Sequence, residues 1–270
     1  MGRCGEAIYW RSEVKYVGTA KKYMPLVWNL TVKDIKIKYR RSALGVIWSV
    51  LNPLLMMLVI TAVFSTIFRF NIPNFPVYYL VGTLVFNFFS EATNNGMLSI
   101  LQSAGLLKKV YIPKYIFALQ KTLFSLVNAL FSLIAVFLVI IITNSELTLA
   151  VLFLPIGLLM FSVFCLGVGM FLAVLATFFR DTIHLYSVVL TALSFLTPLF
   201  YPLDMLPENM LGLVKNQPLS KFVEYFRDCL LYGNVPSLEL HLCCFVYAII
   251  ALLIGLVVFK KNQDKFILYI

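Results

Sequence analysis

The sequence is poor in the residues that most enzymes use for acid–base or metal chemistry. It contains two histidines and 12 acidic residues in 270, and charged residues make up 13% of the chain. Neither His184 nor His241 is accompanied by a cluster of His, Asp or Glu, so a metal site or a general acid–base pair is not expected. The sequence also lacks the GxxxxGK[ST] phosphate loop, which argues against ATP binding by that device.

Cysteines are also few, and their positions do not indicate a disulfide framework. None of the five has the spacing of a metal-ligand motif, and three of them, Cys165, Cys243 and Cys244, lie within apolar runs. Free cysteines in such runs usually behave as small packing residues. We therefore expect neither a cysteine-bound metal nor disulfide bonds.

Apolar residues, by contrast, make up 61% of the chain. Charged residues make up 13% of the chain, about half the fraction found in a typical soluble domain. The bilayer therefore has to act as solvent for most of this chain. Basic residues are concentrated at one end, since residues 1–41 hold ten of the 22 Lys and Arg against three acids. Because this basic region directly precedes an apolar run, it indicates a cytosolic surface facing anionic lipid heads rather than a nucleic-acid partner.

The boundary between surface and membrane is predicted at Arg41. No charged residue occurs from Ser42 to Phe68, and these 27 residues form about 40 Å of α-helix, more than the hydrocarbon thickness of about 30 Å. We therefore divide the chain into a cytosolic arm with an interfacial helix, 1–41, and a transmembrane domain, 42–270. The interfacial helix is predicted to begin at Pro25. Its apolar stripe consists of Trp28, Val32, Ile35 and Tyr39, and its basic stripe of Lys33, Lys36 and Arg40.

Length and charge predict an all-α polytopic membrane protein with six spans. The loops without Lys or Arg, 70–76 and 143–147, are assigned to the outside, and both termini to the cytosol. Four prolines, Pro198, Pro202, Pro207 and Pro218, interrupt the apolar sequence at the end of the fifth span and after it, which predicts two short re-entrant helices within 203–235. The spans are placed near residues 43–68, 77–99, 116–142, 148–177, 184–202 and 240–259.

Polar side chains recur at helical spacing inside four of these spans. Polar faces in lipid have to turn toward other helices or toward water, so each stripe is compatible with helix packing or with a hydrophilic pathway. Four stripes together favour a pathway for a large polar substrate, although a structural ion pair would explain Glu91 equally well. The candidate channel-lining residues are Ser49, Asn52, Asn87, Glu91, Ser125, Asn128, Ser187, Thr191 and Ser194.

Aromatic residues make up 15% of the chain, and several are predicted at the outer ends of the first and fifth spans. Most aromatic residues of a membrane protein face lipid or form interfacial belts. Because aromatic faces also stack on sugar rings, a second interpretation is that these residues contact a glycan. The candidates for such contacts are Phe64, Phe68, Phe195, Phe200 and Tyr201.

Five motifs occur in order along the chain: KDIKIKYRRSALGVIWSVLNPLL, GLLKKVYIPK, FFRDTIHL, FLTPLFYPLDMLPE and FVEYFRDCLLYG. With these motifs the sequence resembles the membrane subunits of type-2 ABC exporters for cell-surface polysaccharides, the O-antigen and teichoic-acid permeases. The resemblance covers roughly residues 25–260. One departure is Gln217-Pro218, where the family more often has Asn-Pro.

The resemblance implies that the transport path and the ATPase activity belong to two different kinds of subunit. Two copies of this chain would assemble with two copies of a separate ATPase, which would hold ATP and Mg²⁺, while this chain would hold no cofactor and would not be an enzyme. A coupling helix at about 101–113 would dock on the ATPase, and the interfacial helix would open an entrance for a lipid-linked glycan. The coupling residues implied are Leu106, Lys108, Lys109, Val110, Tyr111 and Pro113. Those implied at the entrance are Lys33, Arg40 and Arg41, which would equally suit phospholipid heads.

The sequence therefore predicts a homodimeric permease of the bacterial cytoplasmic membrane that exports a lipid-linked polysaccharide of the O-antigen or teichoic-acid type. Three alternatives stay open at this point. A type-2 ABC exporter of drugs or lipids would have a narrower and drier pore. An intramembrane enzyme acting on polyprenyl phosphates would need clustered acid–base or metal-binding residues, and a structural scaffold would not need so many intramembrane polar residues.

Overall fold

The computed structural model describes residues 16–40, 44–67, 72, 74–145 and 148–269. This part of the chain contains helices and no strand, which confirms the predicted all-α class. The α-helices are α1 Tyr16–Tyr39, α2 Ile47–Ile67, α3 Phe75–Gln102, α4 Ala104–Leu107, α5 Tyr115–Ile142, α6 Leu154–Phe178, α7 Thr182–Leu196, α8 Glu208–Asn216, α9 Pro218–Arg227, α10 Leu238–Asn262 and α11 Phe266–Tyr269. The 3₁₀ turns are Leu149–Phe153, Leu203–Met205 and Gln263–Lys265, and a π-helical turn covers Asp228–Tyr232.

Among the described residues, four helical stretches are long and apolar enough to cross a membrane: α2, α5, α6 with the preceding 3₁₀ turn, and α10 with the segment after it. They correspond to the first, third, fourth and sixth predicted spans and make the chain a multi-pass membrane protein. The helix of the second predicted span, α3, is 28 residues long but carries Asn87, Glu91, Asn94 and Asn95. The helix of the fifth, α7, has 15 residues or about 22 Å, so the count of six spans stays a prediction.

Helix α1 begins at Tyr16, nine residues before the predicted start, and Pro25 lies inside it. A proline removes one backbone hydrogen bond and favours a kink, but it does not have to end a helix. The side of α1 that packs on the protein contains buried Val27 and Thr31, whereas Trp28 is exposed. The other three residues of the predicted apolar stripe, Val32, Ile35 and Tyr39, are half-buried, so only the Trp28 part of the stripe lies outside the core, and the interfacial location of α1 stays a prediction.

Helix α3 lies at the centre of the molecule, with α5 and α6 packed along it. Helix α6 packs in turn on α10, where two glycines bring the backbones together. A Cβ atom on Gly255 would lie 2.2 Å from the carbonyl oxygen of Gly167. Small residues permit this close approach between helices in membranes, so side-chain size at these positions sets the spacing of α6 and α10.

A second apolar cluster joins the helix ends on the side that loop charge assigns to the cytosol. Val27 of α1, Ile100 of α3, Leu107 of α4 and Phe259 of α10 are buried in it, together with Phe266 of α11. The cluster therefore fixes the two shortest helices against the long ones.

Two short helices, α8 and α9, lie between α7 and α10, within the region predicted to be re-entrant. Helix α9 begins at Pro218, because proline suits the first turn of a helix. The helical run ends at Gly233, whose φ of 65° favours glycine. The apolar face of this helical run is buried in the main core, while the re-entrant character of the region stays a prediction. That face consists of Phe222, Tyr225, Phe226, Cys229 and Leu230.

Candidate functional site

A cavity of about 380 Å³ lies among α1, α2, α3 and α5. Five of the nine predicted channel-lining residues form part of its wall: Ser49, Asn52, Asn87, Glu91 and Asn128. The remaining wall residues include Lys38, Tyr39, Trp48, Thr83, Phe88 and Ser132. Polar faces of three separate helices therefore meet in one space, which will be called the polar cavity.

Glu91 of α3 connects three helices in the wall of the polar cavity. Its Oε1 atom accepts hydrogen bonds from Lys38 Nζ of α1 and from Asn128 Nδ2 of α5, both at 2.9 Å. Tyr39 extends this network, because its hydroxyl donates to Asn128 Oδ1 at 3.3 Å and contacts the hydroxyl of Ser49 on α2. Glu91 thus forms the structural ion pair that was one of the two explanations offered for it from the sequence.

A second ion pair holds α1 one turn earlier. Asp34 Oδ2 accepts hydrogen bonds from Lys121 Nζ at 2.8 Å and from Gln120 Nε2 at 3.0 Å, both on α5. Gln120 is buried, so its amide depends on a protein partner. Two predicted entrance residues are exposed, Lys33 on α1 and Arg40 directly after it, and the third, Arg41, lies outside the described residues.

Four of the predicted channel-lining residues lie away from the polar cavity. Ser125 is buried, with its hydroxyl 3.4 Å from Asn95 Nδ2. Ser187, Thr191 and Ser194 lie on an exposed or half-exposed side of α7, where their hydroxyls donate to backbone carbonyls three or four residues earlier. Such bonds satisfy Ser and Thr side chains within one helix. In the single chain, the α7 stripe therefore does not join the other polar stripes.

The aromatic candidates divide into packed and exposed residues. Phe64 of α2 stacks on Phe200 with ring centroids 6.1 Å apart. Tyr201 donates a hydrogen bond to the carbonyl of Phe195 at 2.8 Å, while the Phe195 ring is exposed. Phe68 lies outside the described residues. The described candidates therefore do not form one closed ring within the single chain.

The predicted coupling residues lie between α3 and α5, beside the second apolar cluster. Helix α4 covers only Ala104–Leu107, so the helical part is shorter than the predicted range of about 101–113. Pro113 accounts for this in part, because a proline disfavours helical backbone at the preceding residue. Tyr111 projects furthest, with 95% of its surface exposed. Leu106, Lys108, Lys109 and Val110 are also exposed, and Pro113 is half-buried.

Lys114 joins the predicted coupling residues to the segment after α10. Its Nζ atom donates a hydrogen bond to the carbonyl of Gln263 and lies 5.7 Å from the centroid of the Phe266 ring. Burial lowers the pKa of Lys114, and the Asp264 carboxylate opposes this effect. Sequence reasoning missed this contact, because Lys114 and Gln263 lie 149 positions apart.

Sequence reasoning also missed Arg227 of α9, which is only 5% exposed. Its Nη2 atom donates to the carbonyl of Pro198 at 2.8 Å, and to those of Tyr78 and Leu199 at 3.3 and 3.4 Å. A signal was present in the motif FVEYFRDCLLYG, because Arg227 directly follows the apolar residues Tyr225 and Phe226, and a charged group buried beside such residues has to find polar partners.

The polar cavity offers amide, hydroxyl and charged groups beside apolar walls. Amides and hydroxyls both donate and accept hydrogen bonds, so they match the hydroxyl groups of a sugar or of water. Among the described residues, no group of three or more His, Cys, Asp or Glu side chains is arranged to hold a metal ion. The chemistry of this site is therefore that of polar binding.

The chain resembles known membrane transport proteins over most of its length. It is 26% identical to the O-antigen export system permease protein RfbA of Klebsiella pneumoniae over 238 residues, covering 88% of this chain and 92% of the relative. It is 29% identical to the protein of the same name from Myxococcus xanthus over 257 residues, covering 94% and 98%. It is 22% identical to the polysialic acid transport protein KpsM of Escherichia coli over 241 residues, covering 87% and 92%. Because the family model for ABC-2 type transporters matches residues 25–231, the chain belongs to the ABC-2 type transporter family.

Proposed function

We propose that this chain is the transmembrane subunit of an ATP-driven ABC exporter of lipid-linked polysaccharide, of the O-antigen or teichoic-acid type. Two copies of the chain and two copies of a separate ATPase would form the transporter in the bacterial cytoplasmic membrane. ATP and Mg²⁺ would bind to the ATPase, and this chain would catalyse no reaction. Family membership supports the proposal, as do relatives named for O-antigen export and polysialic acid transport.

The observation that carries the proposal is the polar cavity. Ser49, Asn52, Asn87 and Asn128 bring hydroxyl and amide groups from three helices to one space. Such a wall is costly in lipid unless it faces water, another polar surface or a polar substrate. Two polar cavities facing each other in a pair of chains would give a glycan a continuous hydrogen-bonding path.

Helix α1 borders the polar cavity and is placed to act as its gate. The ion pairs Lys38–Glu91 and Asp34–Lys121 hold α1 on α3 and α5. Both pairs are partly exposed, so each contributes about 1 kcal/mol or less, which is small enough to be broken and remade in a transport cycle. Displacement of α1 would open the cavity toward the membrane surface, where Lys33 and Arg40 would attract the phosphates of a lipid-linked glycan.

Deletion of the gene, followed by complementation, tests the proposal. We expect the deletion strain to lose surface polysaccharide and to accumulate lipid-linked polysaccharide on the cytosolic side, as measured by glycan-specific blotting of whole cells and of membranes. Normal surface polysaccharide in the deletion strain would reject the proposal. A defect confined to drug or lipid efflux would favour the alternative type-2 exporter.

A charge reversal at the coupling residues tests the role of the ATPase. Complementation with the double variant Lys108→Glu and Lys109→Glu should not restore export, because reversed charge opposes docking on a partner that is complementary to lysine. Lys215→Glu, an exposed charge reversal on α8, is the control and should restore export. Equal export by both variants would reject the assigned coupling residues.

A further inference from the structure

The segment Gln263–Tyr269 is anchored at Phe266 and at Tyr269 against the cytosolic end of the molecule. Phe266 is fully buried, and its ring lies 6.1 Å from that of Phe178 and 5.2 Å from that of Phe259. Tyr269 contacts Phe178 as well, with ring centroids 4.8 Å apart. The two residues between these anchors, Ile267 and Leu268, are both exposed.

Lys114 brings this segment beside the predicted coupling residues, through its contacts with Gln263 and Phe266. The two segments have the same surface chemistry, since each presents exposed apolar residues next to lysines. The exposed apolar residues are Leu106, Val110, Tyr111, Ile267 and Leu268. Residues 104–114 and 260–269 contain six lysines and one acid, Asp264. A partner for this surface therefore has to offer acidic groups around an apolar pocket.

Depth relative to the membrane distinguishes a protein partner from lipid heads. The ion pairs Lys38–Glu91 and Asp34–Lys121 join α3 and α5 to α1, the helix predicted to lie at the cytosolic membrane interface, so Glu91 and Lys121 lie near that interface, deeper in their helices than the predicted span ends at 99 and 116. The coupling residues lie between Gln102, the last residue of α3, and Tyr115, the first residue of α5. Along the helix axes, Gln102 lies about 16 Å from Glu91, and Tyr115 about 9 Å from Lys121. The headgroup layer of one leaflet is only about 5–7 Å thick. The coupling residues, and Gln263–Tyr269 beside them, thus extend beyond the lipid heads.

We propose that Gln263–Tyr269 is a second docking element for the ATPase subunit, with Leu268 as its apolar contact. The proposal rests on the proposed function, since it assumes that this chain works with an ATPase. The anchors at Phe266 and Tyr269 hold Leu268 outward, 81% exposed, and Lys114 keeps it in a fixed relation to Tyr111. The ATPase would therefore bind one platform made of two segments, and motion of the coupling residues would be transmitted directly to α10.

Site-specific photo-crosslinking in the assembled transporter tests this proposal. The photoreactive residue p-benzoylphenylalanine replaces Leu268 in one variant, Tyr111 in a reference variant and Leu213 in a control variant. Leu213 is comparably exposed, at 73%, but lies on α8 at the other end of the molecule. We expect adducts with the co-expressed ATPase from positions 268 and 111, and none from position 213.

A substitution provides the matching affinity measurement. Leu268→Asp should lower the amount of ATPase that co-purifies with the chain by about tenfold or more. In the complex, the substitution would place a carboxylate, instead of an apolar side chain, in an apolar pocket that is surrounded by acidic groups. Leu213→Asp should retain the ATPase fully. Because Leu268 is exposed, its substitution is not expected to unfold the chain.

The outcomes separate this proposal from the function on which it rests. Crosslinks from position 111 without crosslinks from 268, or crosslinks from 268 to lipid alone, would reject the second docking element and leave the transporter intact. Undiminished ATPase retention by Leu268→Asp would reject it too. If no ATPase is retained by the unsubstituted chain and position 111 gives no adduct, the proposed function itself fails.

Discussion

The guanidinium carbon of Arg227 lies 3.4 Å from the centroid of the Tyr78 ring, so a buried positive charge rests directly on an aromatic face. Arg227 belongs to α9 and Tyr78 to α3, while the carbonyl of Pro198 after α7 accepts a hydrogen bond from the same guanidinium. No ion pair to Arg227 occurs among the residues that the structure describes. The ring and the backbone carbonyls therefore compensate its charge and tie three parts of the chain together.

Removal of this arginine should destabilise the protein. Arg227→Met eliminates the stacking and the hydrogen bonds to carbonyls, and we expect a loss of about 2–3 kcal/mol in the free energy of unfolding in detergent. In a double-mutant cycle with Tyr78→Leu, the coupling energy should be about 1–2 kcal/mol. Strictly additive effects of the two substitutions would show that the stacking contributes nothing.

The ion pair between Lys38 and Glu91 should control export through α1. Lys38→Glu or Glu91→Lys alone places like charges together, so either variant should loosen α1 and lower export, whereas the double swap should restore most of it. The measurement is surface polysaccharide in a complemented deletion strain. Lys36→Glu is the control, because Lys36 is exposed on the same helix and makes none of the ion pairs in the described part of the chain. A double swap no better than the single variants would contradict a gating role for this pair.

The carboxylate of Asp34 should stabilise the protein through a buried amide. Asp34→Ala leaves Gln120, which is 3% exposed, without its hydrogen-bond acceptor, and an unsatisfied buried polar group costs about 1–3 kcal/mol. Asp34→Asn keeps an acceptor oxygen and should cost less, so it serves as the matched variant. Denaturant unfolding of both purified proteins gives the comparison. Equal losses would mean that the amide of Gln120 finds another partner.

The polar cavity should require its amide groups for transport rather than for folding. Asn87→Leu places an apolar side chain of similar size in the wall, and we expect export to fall several-fold at an unchanged protein level, because hydrogen bonds to the substrate are lost. Asn94→Leu is the control, since Asn94 is exposed on the same helix but does not line the cavity. Equal export by the two variants would argue against Asn87 as a contact of the substrate path.

Charge and helical spacing were sufficient to predict the class of this protein and several of its elements. The uncharged stretch after Arg41 predicted α2, because 27 residues without a charge and rich in apolar side chains are long enough to cross a bilayer. The spacing of polar residues likewise placed Asn87 and Glu91 on one side of α3. These predictions depend on local periodicity alone, which is present in the sequence whatever the helices contact.

The limits of periodicity are visible at the polar stripes. Polar stripes with similar spacing lie in different surroundings. Asn128 of α5 lines the polar cavity, whereas Thr191 lies on an exposed side of α7 and donates a hydrogen bond to a backbone carbonyl of the same helix. Spacing specifies the face of a helix on which a residue lies. It does not specify what that face meets, because helix rotation and pairing are set by packing over the whole molecule.

The sequence by itself determined that this chain crosses a membrane, where its basic surface lies and which faces of its helices are polar. Only the tertiary structure decided which partners those polar groups have. Glu91 pairs with Lys38 across 53 positions, and Arg227 reaches the carbonyl of Tyr78 across 149. Composition and periodicity are local properties of a sequence, but a buried charge is satisfied by whichever donors, carbonyls and rings the fold brings beside it.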